Sequence, residues 1–465
     1  MKGAVRIISA TASVIVFSLL AGCERYGPPG AWPYDDEYLT ALDTPVIMNV
    51  TLNDYIQGGA SRQVSIPSGS ENLPQHGTVE MAGYDIIKYT PEPGFVGMDS
   101  LTYSLGGRTA KVTITVKDIA MPSFEEHLYP WLSNARGMAI GDMNQDGTKD
   151  IVFTYRNWCV IIYFNPSAPR NVLSTRYLDV LCSNGIAVGD LDGDGLLDIV
   201  AGYGSVLNVI YQDTAAPNGF VLPPSSIPIA DYVRAVAISD VDLDGFNDIV
   251  VSAHDGLHVL LCDPVFPNTF SESYHFEMPY SYCGWLVVAD LDGDAYDDIA
   301  LFGDGFRVFL QDISSPGTFF APVLYGASTS GGVVADLNND GLLDCASNIG
   351  YGGYPDGLAV WLQKTTPRGD FFSPQIYPPP AGEIAAGDMN GDGLADIATG
   401  TELCCSIAIR LQDPDNPGSF LPPVFVTVTE PDSSVILGGG DIDNDGKFDL
   451  VIKNYDSNLE ILYGK

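Results

Sequence analysis

The stretch "DLDGDGLLD", residues 190–198, places carboxylates at Asp190, Asp192, Asp194 and Asp198 within nine positions. Acids crowded at this spacing repel one another unless something positive sits between them. A hard cation fits that chemistry, because Ca2+ takes six to eight oxygen ligands at about 2.3–2.6 Å. Carboxylates at positions 1, 3 and 5 converge when the chain turns sharply, and glycine at position 6 permits the turn. Position 7 then offers a backbone carbonyl, and the acid at position 9 completes the shell.

The stretch occurs seven times. Position 1 is Asp142, Asp190, Asp240, Asp290, Asp336, Asp388 and Asp441. Position 3 is Asn144, Asp192, Asp242, Asp292, Asn338, Asn390 and Asp443. Position 5 is Asp146, Asp194, Asp244, Asp294, Asp340, Asp392 and Asp445. The carbonyl position is filled by Thr148, Leu196, Phe246, Tyr296, Leu342, Leu394 and Lys447. Position 9 is Asp150, Asp198, Asp248, Asp298, Asp344, Asp396 and Asp449. Up to seven Ca2+ ions are therefore expected, and they would add +14 to a formal charge of −38. Folding and calcium binding should be linked.

The copies are not equal. The loops at 190, 240 and 441 keep four acids and the position-6 glycine (Gly195, Gly245, Gly446). Asparagine at position 3 lowers the ligand charge of the loops at 142, 336 and 388, which should weaken them. The loop at 290 has Ala295 in place of glycine and is expected to be the weakest of the four-acid loops.

An EF-hand shares the first half of this pattern but needs a bidentate Glu at position 12. Here that position holds Phe153, Ala201, Val251, Leu301, Ser347, Thr399 and Ile452. The whole pattern instead resembles the FG-GAP/VCBS repeats of integrin α-like propellers and bacterial surface proteins. The resemblance implies calcium loops on one face of a propeller and partners on the opposite face.

The elements that position the loops are strands. Successive copies begin 48, 50, 50, 46, 52 and 53 residues apart, a period of propellers and solenoids. Small apolar strands flank each loop ("GIAVGD" before, "DIVAGY" after), and a third follows ("LNVIYQD"). Most copies then have a Pro/Gly turn and a Phe-led fourth strand, as in "PGTFFAPVLY". Four strands per repeat make a blade. The expected fold is all-β: a seven-bladed propeller over 119–465, preceded by a small Ig-like sandwich. The chain stops after a third strand, "LEILYGK", while "PSFEEHLYP" (122–130) stands unused before the first loop. Pairing the two would close the ring and cover an open edge.

Lys2 and Arg6, then "IISATASVIVFSLL", then "LAGC" read as a targeting segment over 1–22. "LAGC" resembles the bacterial lipobox, which implies a lipidated Cys23 and attachment to a membrane. Glu24 after that cysteine favours the outer membrane, facing either the periplasm or the cell surface. Residues 23–42 read as a Pro/Gly/acid tether. Residues 43–118 alternate as short strands, and "NVTLND", "PQHGTV" and "YTPEPGFVGMDSLTYSL" resemble bacterial cadherin-like, Ig-like domains.

The face opposite the loops is expected to carry aromatics that could stack on sugars or anchor a protein. Candidates are Trp158, Tyr203, Tyr232, Tyr280, Tyr282, Trp285, Tyr351 and Tyr354, with Tyr155 and Tyr455 beside them. Packing between blades is the alternative role for these rings. Cys159 and Cys182 are a candidate disulfide across adjacent blades, Cys404 and Cys405 a candidate vicinal pair, and Cys262 and Cys345 are expected to be buried. "RGD" at 368–370 falls in an ordinary interstrand turn. The five scattered histidines and the lack of CxxC argue against zinc.

With 59 acids against 21 bases, nucleic acid is an unsuitable partner. No nucleophile elbow, HExxH or phosphate loop is present. The leading expectation is a calcium-stabilised, membrane-anchored binding or adhesion protein whose partner is a glycan or a surface protein. A structural spacer in an envelope assembly and a carbohydrate-active enzyme remain as alternatives.

Overall fold

The computed structural model describes residues 5–7, 15–16, 31–51, 54–56, 61–130, 135–155, 157–216, 218–278, 284–326, 328–349, 357–378, 382–400, 406–428, 434–454 and 458–465. Apart from one short 3-10 turn, Ser70–Asn72, the described elements are strands. The leader (1–22) and Cys23 lie outside the described residues, save for Val5–Ile7 and Ile15–Val16.

The N-terminal unit is a sandwich of two sheets. One orders Asp36–Ala41, Arg108–Lys117, Gly97–Leu105 and Val64–Ser65. The other contains Val46–Asn49, Ile86–Pro91 and Gly77–Met81. Val112, Ile114 and Val116 alternate inward as expected and meet Tyr38, Tyr89 and Tyr103 in the core. Asp99 of the "GMDSL" phrase is buried and accepts hydrogen bonds from the Gln75 and His76 N–H groups and the Tyr89 hydroxyl. That phrase is thus a buried clamp on the turn before "GTVEM".

The tether is shorter than expected. Asp36–Ala41 pairs in parallel with the last sandwich strand, from Asp36 opposite Val112 to Ala41 opposite Lys117. Its Tyr38 and Leu39 side chains are fully buried. Two of the acids that make this segment read as a linker, Asp36 and Glu37, lie in the strand itself, whose Tyr38 and Leu39 fill the core.

Beyond the sandwich the described residues form six four-stranded antiparallel sheets, each in sequential strand order. In the second, Asn184–Gly189, Asp198–Tyr203, Val206–Ile210 and Ser225–Pro228 follow one another. The seventh joins Ser434–Gly440, Asp449–Asn454 and Asn458–Gly464 to Phe124–Pro130, with Val5–Ile7 at its edge. Phe124 pairs with Gly464 and Pro130 with Asn458, which is the expected closure. First strands pack on first strands around the whole series, including the seventh on the first. The result is a propeller-like ring.

Both faces of each second strand are covered by neighbouring sheets, so runs such as Ile199-Val200-Ala201 and Ile249-Val250-Val251 are buried throughout. Continuous apolar runs are what strands buried on two faces require. Each isoleucine or valine in these runs contributes roughly 1.5–3 kcal/mol on burial. The fourth strands depart from expectation in four blades. Phe220, Phe319, Phe371 and Phe420 do not lead them; each is buried and bridges to a glutamine just after the third strand. Blades one and three instead run long outer strands, Ala168–Leu181 and Phe266–Glu277.

Candidate metal centre

Each aspartate turn joins a first strand to a second strand, and its backbone is built around its own carboxylates. In the loop at 190, Asp190 accepts hydrogen bonds from the N–H groups of Gly193 (2.7 Å), Asp194 (3.2 Å) and Gly195 (2.9 Å). Asp194 accepts one from Leu196 at 2.8 Å. The bond from position 6 to the first aspartate recurs in every copy, at 2.8–3.1 Å. Such local acceptance by Asp is what turns the chain.

Two positions of each turn are left-handed. Position 6 has φ from 75° at Ala295 to 95° at Gly245. A Cβ at Gly147, Gly195, Gly245, Gly341, Gly393 or Gly446 would meet nothing within 4 Å, so φ alone selects glycine there. Ala295 therefore carries a backbone cost of roughly 1 kcal/mol and no steric clash. Position 4 is left-handed too, at Gln145, Gly193, Leu243, Gly293, Asn339, Gly391 and Asn444. This second requirement was not read from sequence, because four residue types meet it.

The closing aspartates have a larger structural role than expected. All seven are buried, and each accepts a backbone hydrogen bond from position 2 of its own loop and one from the end of the third strand or the residue or two just after it. Asp198, for example, takes Leu191 N–H at 2.9 Å and Gln212 N–H at 2.8 Å. Burial, and then the neighbouring loop acids, push all seven up to about 7.

The donor set fits a hard cation. Candidate ligand oxygens lie within 4.8 Å of one another in Asp190/Asp192/Asp194, Asp240/Asp242/Asp248, Asp290/Asp292/Asp294 and Asp441/Asp443/Asp449. Burial first, and then the adjacent carboxylates, raise Asp192, Asp242 and Asp292 above the ordinary range. One oxygen of Asp441 is buried without a hydrogen-bond partner. The asparagine loops relieve the same repulsion internally. Asn144, Asn338 and Asn390 each donate to the position-5 carboxylate at 3.0 Å.

Two arginines reach these turns from neighbouring blades. Arg170 pairs with Asp443 (2.6 Å), Asp445 (3.1 Å) and Glu125 (2.8 Å). Arg368, the first residue of "RGD", lies against the loop at 290, where a Cβ on Gly293 would collide with its Nη1 and where its charge offsets part of the upward shift of Asp292. Asp370 is held by Lys364 at 2.7 Å and by the Tyr325 hydroxyl at 2.6 Å. The tripeptide is thus engaged within the ring, as its turn position implied.

Buried glutamines were missed. Gln212, Gln311 and Gln363 donate to the position-2 carbonyls of Met143, Val241 and Leu291, each in a preceding loop. Their recurrence as "YQD", "LQD" and "LQK" after the third strand is the signal that could have found them.

On the opposite face, Trp158 and Tyr203 are exposed, and Tyr177 packs edge-on against Trp158. Trp285 and Tyr155 pack against blade cores, and Tyr232 lies beside His254. Tyr280, Tyr282, Tyr351, Tyr354, Tyr455, Cys404 and Cys405 lie outside the described residues. Cys159 and Cys182 are not bonded: both are buried free thiols in hydrogen-bond contact. They also belong to one blade rather than two, because the long outer strand brings Cys182 N–H back to the Asn157 carbonyl at 2.9 Å. Cys262 and Cys345 are buried as expected.

The turns at 142, 190, 336 and 388 fall within two spans, 142–201 and 336–399, that match the profile of the FG-GAP-like repeat. Residues 28–117 match the bacterial Ig domain, which agrees with a sandwich beginning before residue 43. The chain carries FG-GAP-like repeats behind an N-terminal bacterial Ig domain. No curated protein sequence matches it. Among solved structures, BBS1N in complex with ARL6DN is similar at 10% identity and a TM-score of 0.50, covering 74% of this chain and 96% of that one. That likeness supports a propeller-like fold. An Agrocybe aegerita lectin that recognises non-reducing terminal N-acetylglucosamine aligns at 18% identity with a TM-score of 0.43, over 70% of this chain and 87% of that one. FG-GAP-like repeats together with an Ig domain suggest a binding- or adhesion-type protein.

Proposed function

We propose that the FG-GAP-like ring is a seven-bladed propeller locked by Ca2+ in its aspartate turns, and that it serves as a binding or adhesion module of the bacterial envelope. The observation that carries this reading is the repetition of one turn in all seven sheets, with the same left-handed positions and the same inward carboxylates. Cys23 is the proposed lipid anchor to the outer membrane, and the Ig domain stands between anchor and ring. The partner, a glycan or a surface protein, is taken on the face opposite the turns, where Trp158 and Tyr203 are exposed. No catalytic step is assigned.

A spacer role in an envelope assembly is the second reading. It is favoured by the firm joint between the modules: Lys117 of the last sandwich strand pairs with Asp413 (2.5 Å) and Asp415 (2.7 Å) of the sixth blade.

Elemental analysis and thermal melting, before and after chelation, test the calcium reading. Bound calcium and a large drop in Tm on its removal are expected. Unchanged melting with no calcium would overturn it. A glycan array run with and without EDTA then separates binding from spacing, since a calcium-dependent hit is expected only of the former.

A further inference from the structure

The third blade gathers a second, chemically different set of ligands at the end away from its aspartate turn. His258 lies on the third strand, Gly256–Asp263, and His275 on the outer strand, Phe266–Glu277, directly opposite it in register. Their rings are parallel within 12° at 4.2 Å. Asp255, in the turn joining the second and third strands, faces both. Its Oδ1 is 3.0 Å from His258 Nε2 and its Oδ2 is 3.7 Å from His275 Nε2. Candidate ligand atoms of the three residues lie within 4.8 Å of one another.

Glu272 completes the arrangement from behind. Its Oε1 is 2.6 Å from His258 Nδ1. Alternation would place Glu272 on the far side of the sheet from His275. A register shift between Val259 and Leu260 leaves Ser273 unpaired and sets Glu272 opposite Leu260, on the His258 side. The bulge re-aims one carboxylate.

We infer that Asp255, His258 and His275 form a site for a borderline divalent transition metal such as Zn2+, distinct from the calcium turns. His258 is 2% exposed with a carboxylate at each ring nitrogen. A neutral imidazole carries one N–H and can satisfy only one of them. A cation on Nε2 satisfies the Asp255 side, while Nδ1–H donates to Glu272. That pairing of carboxylate, histidine and metal is the usual way an imidazole ligand is oriented. Two imidazoles and one carboxylate suit Zn2+ rather than Ca2+, which takes oxygen. His275 and Asp255 are 28% and 23% exposed, so the ion has a route in and a fourth position for water. Against the sequence reading, histidines 17 residues apart are brought together by strand pairing.

The test titrates Zn2+ into calcium-saturated full-length protein, with Co2+ absorption as a second probe. One equivalent of Zn2+ should bind the wild type with calcium content unchanged, and Co2+ should give the intense visible bands of low coordination. Glu272→Gln should weaken Zn2+ by roughly 10- to 100-fold, as loss of an outer partner does. His275→Gln, at a partly exposed position, should weaken it further without changing calcium content, and His76→Gln in the sandwich should change nothing. Equal Zn2+ affinity in the wild type and His275→Gln would overturn the site. So would a wild type that binds no Zn2+. Loss of calcium binding in the parent protein would count against the proposed function without touching this site.

Discussion

The turns at 190 and 441 carry the same four aspartates and the same glycine, yet their surroundings differ. In both, the carboxylates accept hydrogen bonds from the turn's own backbone. In the second, the guanidinium of Arg170 from the first blade grips Asp443 and Asp445 and continues to Glu125 on the outer strand of the seventh. The same arginine lies over the Tyr463 ring, and its carbonyl accepts from the Tyr129 hydroxyl. The seam of the ring is therefore held partly by a cation of the protein itself. Identical ligands need not mean identical dependence on calcium.

Chelation gives the largest effect expected. A site filled at a hundredfold excess over its Kd contributes about 2.7 kcal/mol. Several such turns emptied together should lower the Tm by roughly 10 °C or more. The comparison is sharpened by Asp194→Ala and Asp445→Ala. The first should remove one calcium and cost the stripped protein only the Leu196 N–H hydrogen bond, about 1 kcal/mol or less. The second should destabilise the stripped protein further, because it also breaks the Arg170 bridge. Identical behaviour of the two in the stripped state would erase the distinction between the turns.

Acid should act next, and only on the stripped protein. The seven closing aspartates stand at about 7 in the fold against an ordinary 3.8. A carboxyl raised in this way favours the folded state below its unfolded pKa, and that contribution is lost as pH rises through the folded value. Metal-free protein should therefore melt higher at pH 5 than at pH 8. Calcium holds the carboxylates ionised and should flatten or reverse the trend. A stripped protein that melts higher at pH 8 would show that these groups are not held as buried acids.

Arg170→Met comes third. Hydrogen bonds to charged groups are worth about 1.5–3 kcal/mol each where buried, and less where water reaches them, as it does in part here. A loss of roughly 2 kcal/mol in the stripped protein is expected. Calcium affinity at the turn beginning at Asp441 should rise, since a competing positive charge is gone. Calorimetry on this variant reads both effects, and a fall in affinity would mean that the arginine preorganises the turn rather than competing for it.

The repeat period, the ring closure and the aspartate turns were legible because each repeats or answers a visible gap. Phe124–Pro130 was an orphan strand, and Asn458–Gly464 lacked a partner. What stayed hidden depends on placement in space. Arg170 is far in sequence from Asp443, His258 and His275 meet only through strand pairing, and Glu272 reaches His258 through a bulge at Ser273 that leaves no mark in composition. The Asp36–Ala41 strand was obscured for another reason: its acids resemble a linker, while the parallel pairing that buries Tyr38 comes from the far end of the domain. The second left-handed position was hidden by its tolerance of Leu, Gln and Asn as well as glycine.

That tolerance sets the smallest and sharpest test, a comparison of the turns at 240 and 290. The sequence pattern makes Ala295 the single blemish among four-acid turns, but Leu243 at φ 58° and Asn444 at φ 59° are also left-handed residues with a Cβ, and of these only asparagine adopts that region readily. Ala295→Gly should stabilise the protein by roughly 1 kcal/mol and tighten calcium at its turn. The space around the corresponding glycines is empty, so the gain would come from the backbone alone. Leu243→Gly should gain a similar amount. If Ala295→Gly gains and Leu243→Gly does not, then the side chain of Leu243 supports its turn, and the turn at 290 remains the weakest of its class. Equal gains would place the two turns level, each strained at a different position.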